Sequence, residues 1–467
     1  MSPSTAAAAP AGRTSTRRRG GPWPVVAAAI ALVLLATRQA GSVPGTFGLS
    51  WVKLAIAACA LLWAATRLAG QRSRRDEHTR VTLGLVCAYV AVSFLSYGAA
   101  LGGGRVAEVD VAHANAYLAV ELLLIGWVGF LLTTLRTLSH VRLLVQGLTV
   151  GATISASAGL AGLLLEIDLG SALQLPFVRG AEPVRAGTLL RAGMTRPQGA
   201  AGHPLELATI SACVTPLALS LYDEARARGR RHATPWLLCA GVLATAAVLG
   251  LSRSALVALV LAYAVLAWRY PLRRVATHLA LAGAGTVVLA LLRPGFVSAV
   301  GGIFASVDDD PSVRSRAYGL DLAADLIGAR PLLGQGFGAT TGATPVLLDN
   351  GYLGRLVETG LVGLLSFLAV LAWAMREAAL ARRDLAAGST RRQRAAARLP
   401  AGLLAALVSL SFSTLFLDVG GFPQVWLLLW TLVAACGAVG ASARAARRGD
   451  APAPVVRPTP TPAPEDA

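Results

Sequence analysis

Long apolar windows separated by short polar segments follow one another along most of this 467-residue chain. About 20 apolar residues are enough to cross ~30 Å of hydrocarbon as an α-helix. Such windows cover residues 24–37, 49–66, 81–101, 116–135, 143–166, 204–222, 235–251, 254–268, 276–292, 350–375, 399–416 and 423–440. The pattern predicts an all-α, polytopic integral membrane protein with about 12 transmembrane helices.

Composition and charge agree with this class. The chain is 55% hydrophobic and 14% charged, with a mean hydropathy of +0.61 and a net charge of +18. The basic residues cluster in alternate connections, at 17–19, 72–80, 136–142, 226–231, 269–274, 376–398 and 444–448. Cytoplasmic loops carry excess Lys and Arg, so both termini are predicted to be cytoplasmic. The positive charge therefore indicates anionic inner-leaflet lipid as a partner and not nucleic acid.

The two ends differ from the apolar body at 24–441. Residues 1–23 are predicted to be a disordered cytoplasmic segment, and the Pro-rich residues 442–467 a disordered cytoplasmic tail. The first apolar run resembles a signal peptide, but Arg38 and a second span follow it, so we expect an uncleaved helix. All five cysteines fall in predicted spans, so no disulfide framework is indicated.

On this topology two external loops are long, at 167–203 and 293–349. Long irregular segments at a membrane surface require a reason, so function is expected there. Within the second loop, RSRAYGLDLAADLIG has apolar residues at helical spacing and predicts a helix on the bilayer surface. These residues are Ala317, Leu320, Ala324 and Ile327.

Several ionisable residues fall near the external ends of predicted spans. They are Lys53, Glu121, Glu206, Arg253, Arg355 and Glu358. A charge in a membrane helix is costly and usually functional, and an ion-coupled transporter would place such groups near the midplane. Tyr352, Arg355 and Glu358 are spaced three apart, so they share a helix face and the two charges can pair. The glycines at 354, 360 and 363 are expected to permit close helix approach.

Four polar segments lie on or beside the predicted external face. They are MTRPQGAAGHPLELA at 194–208, LSRSALVAL at 251–259, SVRSRAYGLDLAADLIGARPLLGQGFG at 312–338 and LLDNGYLGRLVETGLVG at 347–363. Their content and order resemble the O-antigen ligase and polymerase superfamily, membrane enzymes that transfer glycans from polyprenyl diphosphate. The resemblance is best over 190–370, and it makes 24–441 a glycan ligase/polymerase-like domain.

The resemblance implies roles for particular residues. Arg253, Arg316 and Asp349 are the expected catalytic residues. The expected substrate-binding residues are Arg191, Arg196, His203, Tyr352, Arg355 and Glu358. Guanidinium groups bind phosphate oxygens bidentately and stay charged, so Arg196, Arg253 and Arg316 suit the diphosphate. Arg355 and Glu358 are assigned to support.

Several assignments leave alternatives open, including an interfacial snorkelling residue for Arg253 and a polar loop residue for His203. Where many family members have His before the Asn, this chain has Asp349, which either accepts a proton from the acceptor or caps the following helix. Either Arg191 or Arg196 corresponds to one family arginine, with Arg196 preferred. Arg316 fits another family position better than Arg314, and a solvated face is the alternative for both.

The implied reaction is metal-independent glycosyl transfer with inversion, with no cofactor. The donor is a polyprenyl-diphosphate-linked glycan, and the acceptor is a hydroxyl of a glycan, lipid or protein. GQGFG at 334–338 is read as a flexible turn, because no βαβ unit precedes it. Asp308, Asp309 and Asp310 are expected to form a hydrated acidic loop, with a divalent cation site as the alternative.

Two other functions compete with ligation or polymerisation at the external face of a bacterial inner membrane. A lipid-linked oligosaccharide flippase also has about twelve spans in many cases, but it needs a polar path through the membrane. A polyprenyl-monophosphate glycosyltransferase typically carries an acidic motif in its first external loop, and residues 38–48 contain no acid. Glu108 and Asp110 keep this second alternative open.

Overall fold

The computed structural model is almost entirely helical. It describes residues 21–39, 41–46, 48–70, 77–103, 108–179, 189–229, 232–268, 270–305, 311–338 and 348–447. The helices are α1 (Trp23–Ala36), α2 (Trp51–Leu68), α3 (Glu77–Gly102), α4 (Glu108–Thr134), α5 (Leu138–Leu165), α6 (Leu169–Ala172), α7 (Pro204–Ala227), α8 (Thr234–Leu249), α9 (Arg253–Ala267), α10 (Leu272–Leu292), α11 (Phe296–Ala305), α12 (Pro311–Ala329), α13 (Gly351–Ala386), α14 (Arg391–Ala396), α15 (Arg398–Ser413) and α16 (Pro423–Arg447). A short antiparallel hairpin pairs β1 (Leu190–Arg191) with β2 (Met194–Thr195).

Within the described residues, nine helices are long and apolar enough to cross a membrane. The predicted spans at 24–37, 235–251 and 254–268 correspond to the shorter apolar helices α1, α8 and α9. The all-α, polytopic architecture is therefore confirmed, whereas the count of twelve spans stays a prediction.

Helix α16 lies at the centre of the bundle. In its most apolar 18-residue window, 94% of the residues are buried, because the helix is apolar on all sides and other helices surround it. Thr431 in this helix accepts a hydrogen bond from the indole N–H of Trp127 at 3.0 Å. Helix α10 is the opposite case, because none of its residues is buried within the protein. Its apolar surface is thus suited to contact with lipid.

The helix predicted from RSRAYGLDLAADLIG is present as α12, over Pro311–Ala329, and its position on the bilayer surface stays a prediction. Its apolar side contributes Ala323, Leu326 and Ile327 to a small cluster with Leu348, Leu353 and Val357. The side chains of Arg314 and Arg316 lie outside the described part of the structure, as do residues 308–310 and both chain ends. The interpretations placed on those residues stay predictions.

Helix α13 is interrupted near its start. Gly360 has φ 65° and ψ −169°, a backbone conformation that is essentially confined to glycine. The predicted span at 350–375 is present as part of the candidate membrane span Gly351–Ala386, in which a short helix at 351–359 precedes the break and the long helix follows it. The break leaves carbonyls on one side and N–H groups on the other without helical partners.

The segment 331–336, which we call the strap, supplies partners on both sides of this break. Gln335 N donates to Val357 O at 2.8 Å, and Gly336 N donates to Glu358 O at 3.0 Å. Beyond the break, Leu361 N donates to Pro331 O at 2.8 Å. The GQGFG turn is thus held against α13 instead of moving freely as a flexible turn would.

Two glycines permit this contact between the strap and α13. A Cβ atom at Gly334 would lie 2.5 Å from the carbonyl of Glu358, and one at Gly360 would overlap the carbonyl of Leu332. At Gly354, by contrast, an added Cβ would have no atom within 4 Å. The expectation of close helix approach is therefore wrong for Gly354, and at Gly360 the close neighbour is a loop.

We predict that Gly360→Ala destabilises the protein by at least ~1–3 kcal/mol, the cost of this backbone conformation for a non-glycine residue. The overlap with Leu332 adds to that cost. Gly354→Ala is the matched control. Gly354 lies in the short helix before the break, where an added Cβ has open space, and Ala is more favourable than Gly inside a helix by about 0.5–1 kcal/mol. Thermal unfolding in detergent measures both, and equal midpoints for the two variants would contradict the prediction.

Candidate functional site

Arg355 and Glu358 form a buried ion pair on the short helix before the break. Arg355 Nη2 lies 3.1 Å from Glu358 Oε2, and the side chains are only 8% and 5% exposed. Arg355 Nη1 also donates to the hydroxyl of Tyr89 at 3.4 Å. The guanidinium carbon lies 5.1 Å from the centre of the Phe337 ring, so the cation also contacts an aromatic face. The predicted i, i+3 pairing is present.

Other carboxylates surround the same guanidinium. Glu121, which is 2% exposed, and Asp418 both lie close enough to interact electrostatically with Arg355. Asp418 Oδ1 accepts from Gly420 N at 3.1 Å, and a Cβ at Gly420 would lie 3.2 Å from Arg355 Nη2. Acidic groups from three elements thus face Arg355, which suits it to holding the site together more than to binding a diphosphate.

The start of α13 is capped by Asn350. Its Oδ1 accepts from Tyr352 N at 3.0 Å and from Leu353 N at 3.1 Å. The N-cap alternative for Asp349 is therefore wrong, because the next residue occupies the capping position. The hydroxyl of Tyr352 donates to Ser411 O at 2.8 Å, which fastens this turn to the end of α15. Asp349 itself is partly buried.

A second group of charged residues forms around the hairpin and the start of α7. Arg196 is 7% exposed, and its backbone N donates to Leu189 O at 2.7 Å. Burial and the charge of Arg191 lower the pKa of Arg196 to about 10. Burial and the charges of Arg196 and Arg191 lower the pKa of His203 to about 4. The structure therefore brings Arg191, Arg196 and His203 together as a basic group, with the imidazole neutral at pH 7.

His203 has a structural role in this group. It is the N-cap of α7, where its Nδ1 accepts from Leu205 N at 3.0 Å. Its ring lies 6.1 Å from that of Phe422, in the connection that also carries Asp418. The connection 415–422 therefore contacts His203 through Phe422 and approaches Arg355 through Asp418.

Glu206 joins the start of α7 to the start of α16. Its Oε1 accepts from Gln424 N at 3.0 Å, and its Oε2 accepts from Gly202 N at 2.8 Å. A carboxylate is stabilised at a helix N-terminus, here the start of α16. Gln424 in turn donates to the carbonyl of Thr37 at the end of α1, at 2.8 Å. The buried carboxylate of Glu206 is therefore accommodated by its hydrogen bonds to backbone N–H groups.

Arg253 is the first residue of α9, and a strained turn precedes it. Leu251 has φ 46°, which is uncommon for a non-glycine residue, and Ser252 caps the helix. A Cβ at Gly250 would lie 2.5 Å from Cβ of Ala208, so this turn lies against the first turns of α7. Arg253 therefore occupies the same end of the bundle as His203.

The residues expected at the site thus fall into three parts. Arg355 and Glu358 form one group, Arg191, Arg196 and His203 a second, and Arg253 and Asp349 lie at the same end on separate turns. Sequence reasoning missed Asp418 and Gln335. An Asp-x-Gly-Gly turn in the short connection between the last two spans was the available signal for Asp418.

One family model matches the chain. Residues 238–368 match the model described as Wzy_C, O-antigen ligase. The comparison with curated proteins finds no match. The matched stretch runs from α8 into α13, so it includes Arg253, the strap, the helix break, Arg355 and Glu358. Residues 238–368 therefore match an O-antigen ligase domain, which confirms the resemblance to the ligase and polymerase superfamily over that stretch and supports a role in membrane glycan ligation or polymerisation.

We predict that Asn350→Ala lowers the free energy of unfolding by about 1 kcal/mol, because it removes the acceptor for two N–H groups. Asp349→Asn should leave the unfolding midpoint close to that of the unmodified protein. Denaturant or thermal unfolding compares the two neighbouring variants. A larger loss in the free energy of unfolding for Asp349→Asn than for Asn350→Ala would indicate that Asp349 caps the helix.

We also predict that the pH dependence of stability includes a contribution from His203. The folded protein holds the pKa of His203 near 4, below its value of 6.5 in the unfolded chain, so the unfolded state gains the proton first. This contribution is fully present above about pH 6.5 and is lost as the pH falls towards 4.

His203→Asn is the matched variant for this measurement, because Asn also caps helices but does not titrate. The unfolding midpoint should fall less between pH 7 and pH 4.5 for His203→Asn than for the unmodified protein. Parallel curves for the two proteins would show that His203 does not contribute.

Proposed function

We propose that this protein is a metal-independent, inverting membrane glycosyltransferase. It moves a glycan from a polyprenyl diphosphate carrier to an acceptor hydroxyl, in ligation or polymerisation of a surface polysaccharide. The observation that carries this proposal is the O-antigen ligase domain, whose arginine at the start of α9 lies at the same end of the bundle as the separate basic group at 191–203.

This end is proposed to face the exterior of a bacterial inner membrane, with both chain termini in the cytoplasm. Support comes from the opposite end, where several buried carboxylates hold arginines from the predicted cytoplasmic segments. Glu377 accepts from Arg444 Nη1 at 2.8 Å, and Arg274 pairs with Asp223. The positive-inside rule places such an arginine-rich end in the cytoplasm.

The donor diphosphate is assigned to Arg196 and Arg253, together with Arg316 on α12. A departing polyprenyl diphosphate gains negative charge, and fixed guanidinium groups stabilise that charge without a metal ion. Arg191 and His203 border this region, and the neutral imidazole leaves the positive charge to the arginines. The carboxylates around Arg355 make that residue a poorer partner for a dianion.

Asp349 is assigned to the acceptor. In the proposed reaction the acceptor oxygen attacks the anomeric carbon, the bond from that carbon to the diphosphate oxygen breaks, and the carrier leaves with the bonding electrons. Asp349 takes the proton of the attacking hydroxyl, as a positioned carboxylate can. The cap provided by Asn350 supports this role, because the carboxylate of Asp349 is not required to start α13.

Arg355 and Glu358 are assigned to positioning. They lie between the Asn350 turn and the Gly360 break, and their ion pair holds this short helix against the ring of Phe337 and the 415–422 connection. Tyr352 anchors the same turn to α15. These residues therefore act through the placement of Asp349.

We predict that Arg253→Lys slows glycan transfer by tens-fold, equivalent to about 2 kcal/mol, because the charge stays and the planar fork is lost. Arg253→Ala should be slower still. The assay supplies a purified polyprenyl-diphosphate glycan and acceptor in the presence of EDTA, with Arg226→Lys at the other end of the bundle as control. Unchanged transfer by Arg253→Lys would remove Arg253 from the diphosphate site, and a requirement for a divalent ion would contradict the metal-free proposal.

Asp349→Asn is predicted to fold and to bind donor but to be nearly inactive, because an amide cannot take the proton. Asn350→Ala should keep measurable transfer at temperatures below its lowered unfolding midpoint. Glycan product is quantified for both variants. Near-normal transfer by Asp349→Asn would eliminate the proposed base, and carrier translocation without glycan product in the unmodified protein would favour the flippase.

A further inference from the structure

A cavity of about 320 Å³ lies at the end of the bundle opposite to the candidate site. Its lining includes Arg142, Leu221, Glu224, Arg228, His232 and Trp236. These residues come from the start of α5, the end of α7, the connection between α7 and α8, and the start of α8. Helix α7 has 24 residues and is about 36 Å long, at 1.5 Å per residue, which separates this cavity from His203.

Two lining arginines are fixed by one buried carboxylate. Arg142 donates to Glu224 through both Nε and Nη2, each at 2.7 Å, and Arg228 Nη2 also donates to Glu224 Oε1 at 2.7 Å. Glu224 is 2% exposed, whereas Arg142 and Arg228 are 15% and 13% exposed. A guanidinium has five N–H donors, and the bidentate contact to Glu224 uses only part of that capacity in Arg142.

The charge and shape of this cavity fit an anion with an apolar neighbour. Two arginines against one glutamate leave a net charge of +1 in the lining, and His232 is exposed beside them. Pro235 and Trp236 lie in the first turn of α8, and a helix N-terminus also favours negative charge. Leu221 and Ala225 provide an apolar wall.

We propose that this cavity binds a phosphate ester group. Arginine forks match phosphate oxygens, and the pairing with Glu224 holds both forks in place before the ligand arrives. An anionic inner-leaflet lipid would supply the phosphate together with apolar chains, and a soluble phosphate would supply it alone. Basic pockets between transmembrane helices on the cytoplasmic side bind anionic lipid headgroups, and Trp236 has the amphipathic character that suits the membrane interface.

The test uses the full-length protein in a neutral detergent. The probes are dioctanoyl phosphatidylglycerol, dioctanoylglycerol, which has the same chains without phosphate, and inorganic phosphate. Arg228→Ala is compared with Arg226→Ala, which removes the same charge two residues away. Arg226 contacts Tyr222 and does not line the cavity. Arg228→Ala keeps the bidentate pair between Arg142 and Glu224, and Arg228→Lys serves as a milder second variant.

Binding is followed by the shift of the unfolding midpoint and by native mass spectrometry. Phosphatidylglycerol should bind the unmodified protein and Arg226→Ala alike, and about tenfold more weakly to Arg228→Ala, with Arg228→Lys in between. Inorganic phosphate would be identified as the source if it raised the unfolding midpoint of Arg226→Ala as strongly as phosphatidylglycerol does and did not raise that of Arg228→Ala. Equal binding of dioctanoylglycerol, or equal losses in Arg226→Ala and Arg228→Ala, would overturn the proposal.

Discussion

The interruption of α13 at Gly360 is the constraint on which the arrangement of the candidate site depends. A helix broken near the membrane surface exposes backbone groups that need partners, and the strap at 331–336 provides them on both sides of the break. In return, the break allows the short helix at 351–359 to take its own direction. That helix carries Asn350, Tyr352 and the Arg355–Glu358 pair, so the position of every group at the start of α13 follows from this exchange of hydrogen bonds.

Several buried charges at this end hold the framework together. Glu206 accepts backbone N–H groups that join α7 to α16, and Arg355 is surrounded by Glu358, Glu121 and Asp418. Each of these charges is compensated within the protein, as a charge at membrane depth requires. Arg253 is placed at the first position of α9 by a turn strained at Leu251, and its side chain is partly exposed. Strained backbone at such a position is common in functional sites.

At the opposite end of the bundle, buried carboxylates also have charged partners within the protein. Asp223 and Glu224 are buried near the end of α7 and Glu377 is buried within α13, and each holds at least one arginine from a predicted cytoplasmic segment. Some of the arginines that predict the orientation of the chain therefore form ion pairs inside the protein. Around Glu224 these arginines also line a basic cavity. A count of surface arginines alone would indicate only a general attraction to anionic lipid.

The sequence by itself determined the all-α membrane class, the bounds of seven of the twelve predicted spans to within four residues, and the resemblance to the superfamily. Apolar run length and local spacing are sufficient for these, and the i, i+3 spacing also predicted the Arg355–Glu358 pair. Only the tertiary structure decided that Asn350, and not Asp349, caps α13. It also revealed the break at Gly360, and it brought Asp418 from the connection between α15 and α16 towards Arg355. These features depend on contacts between residues far apart in the chain, such as the bond from Gly336 N to Glu358 O, and no local pattern of hydrophobic and polar residues encodes them.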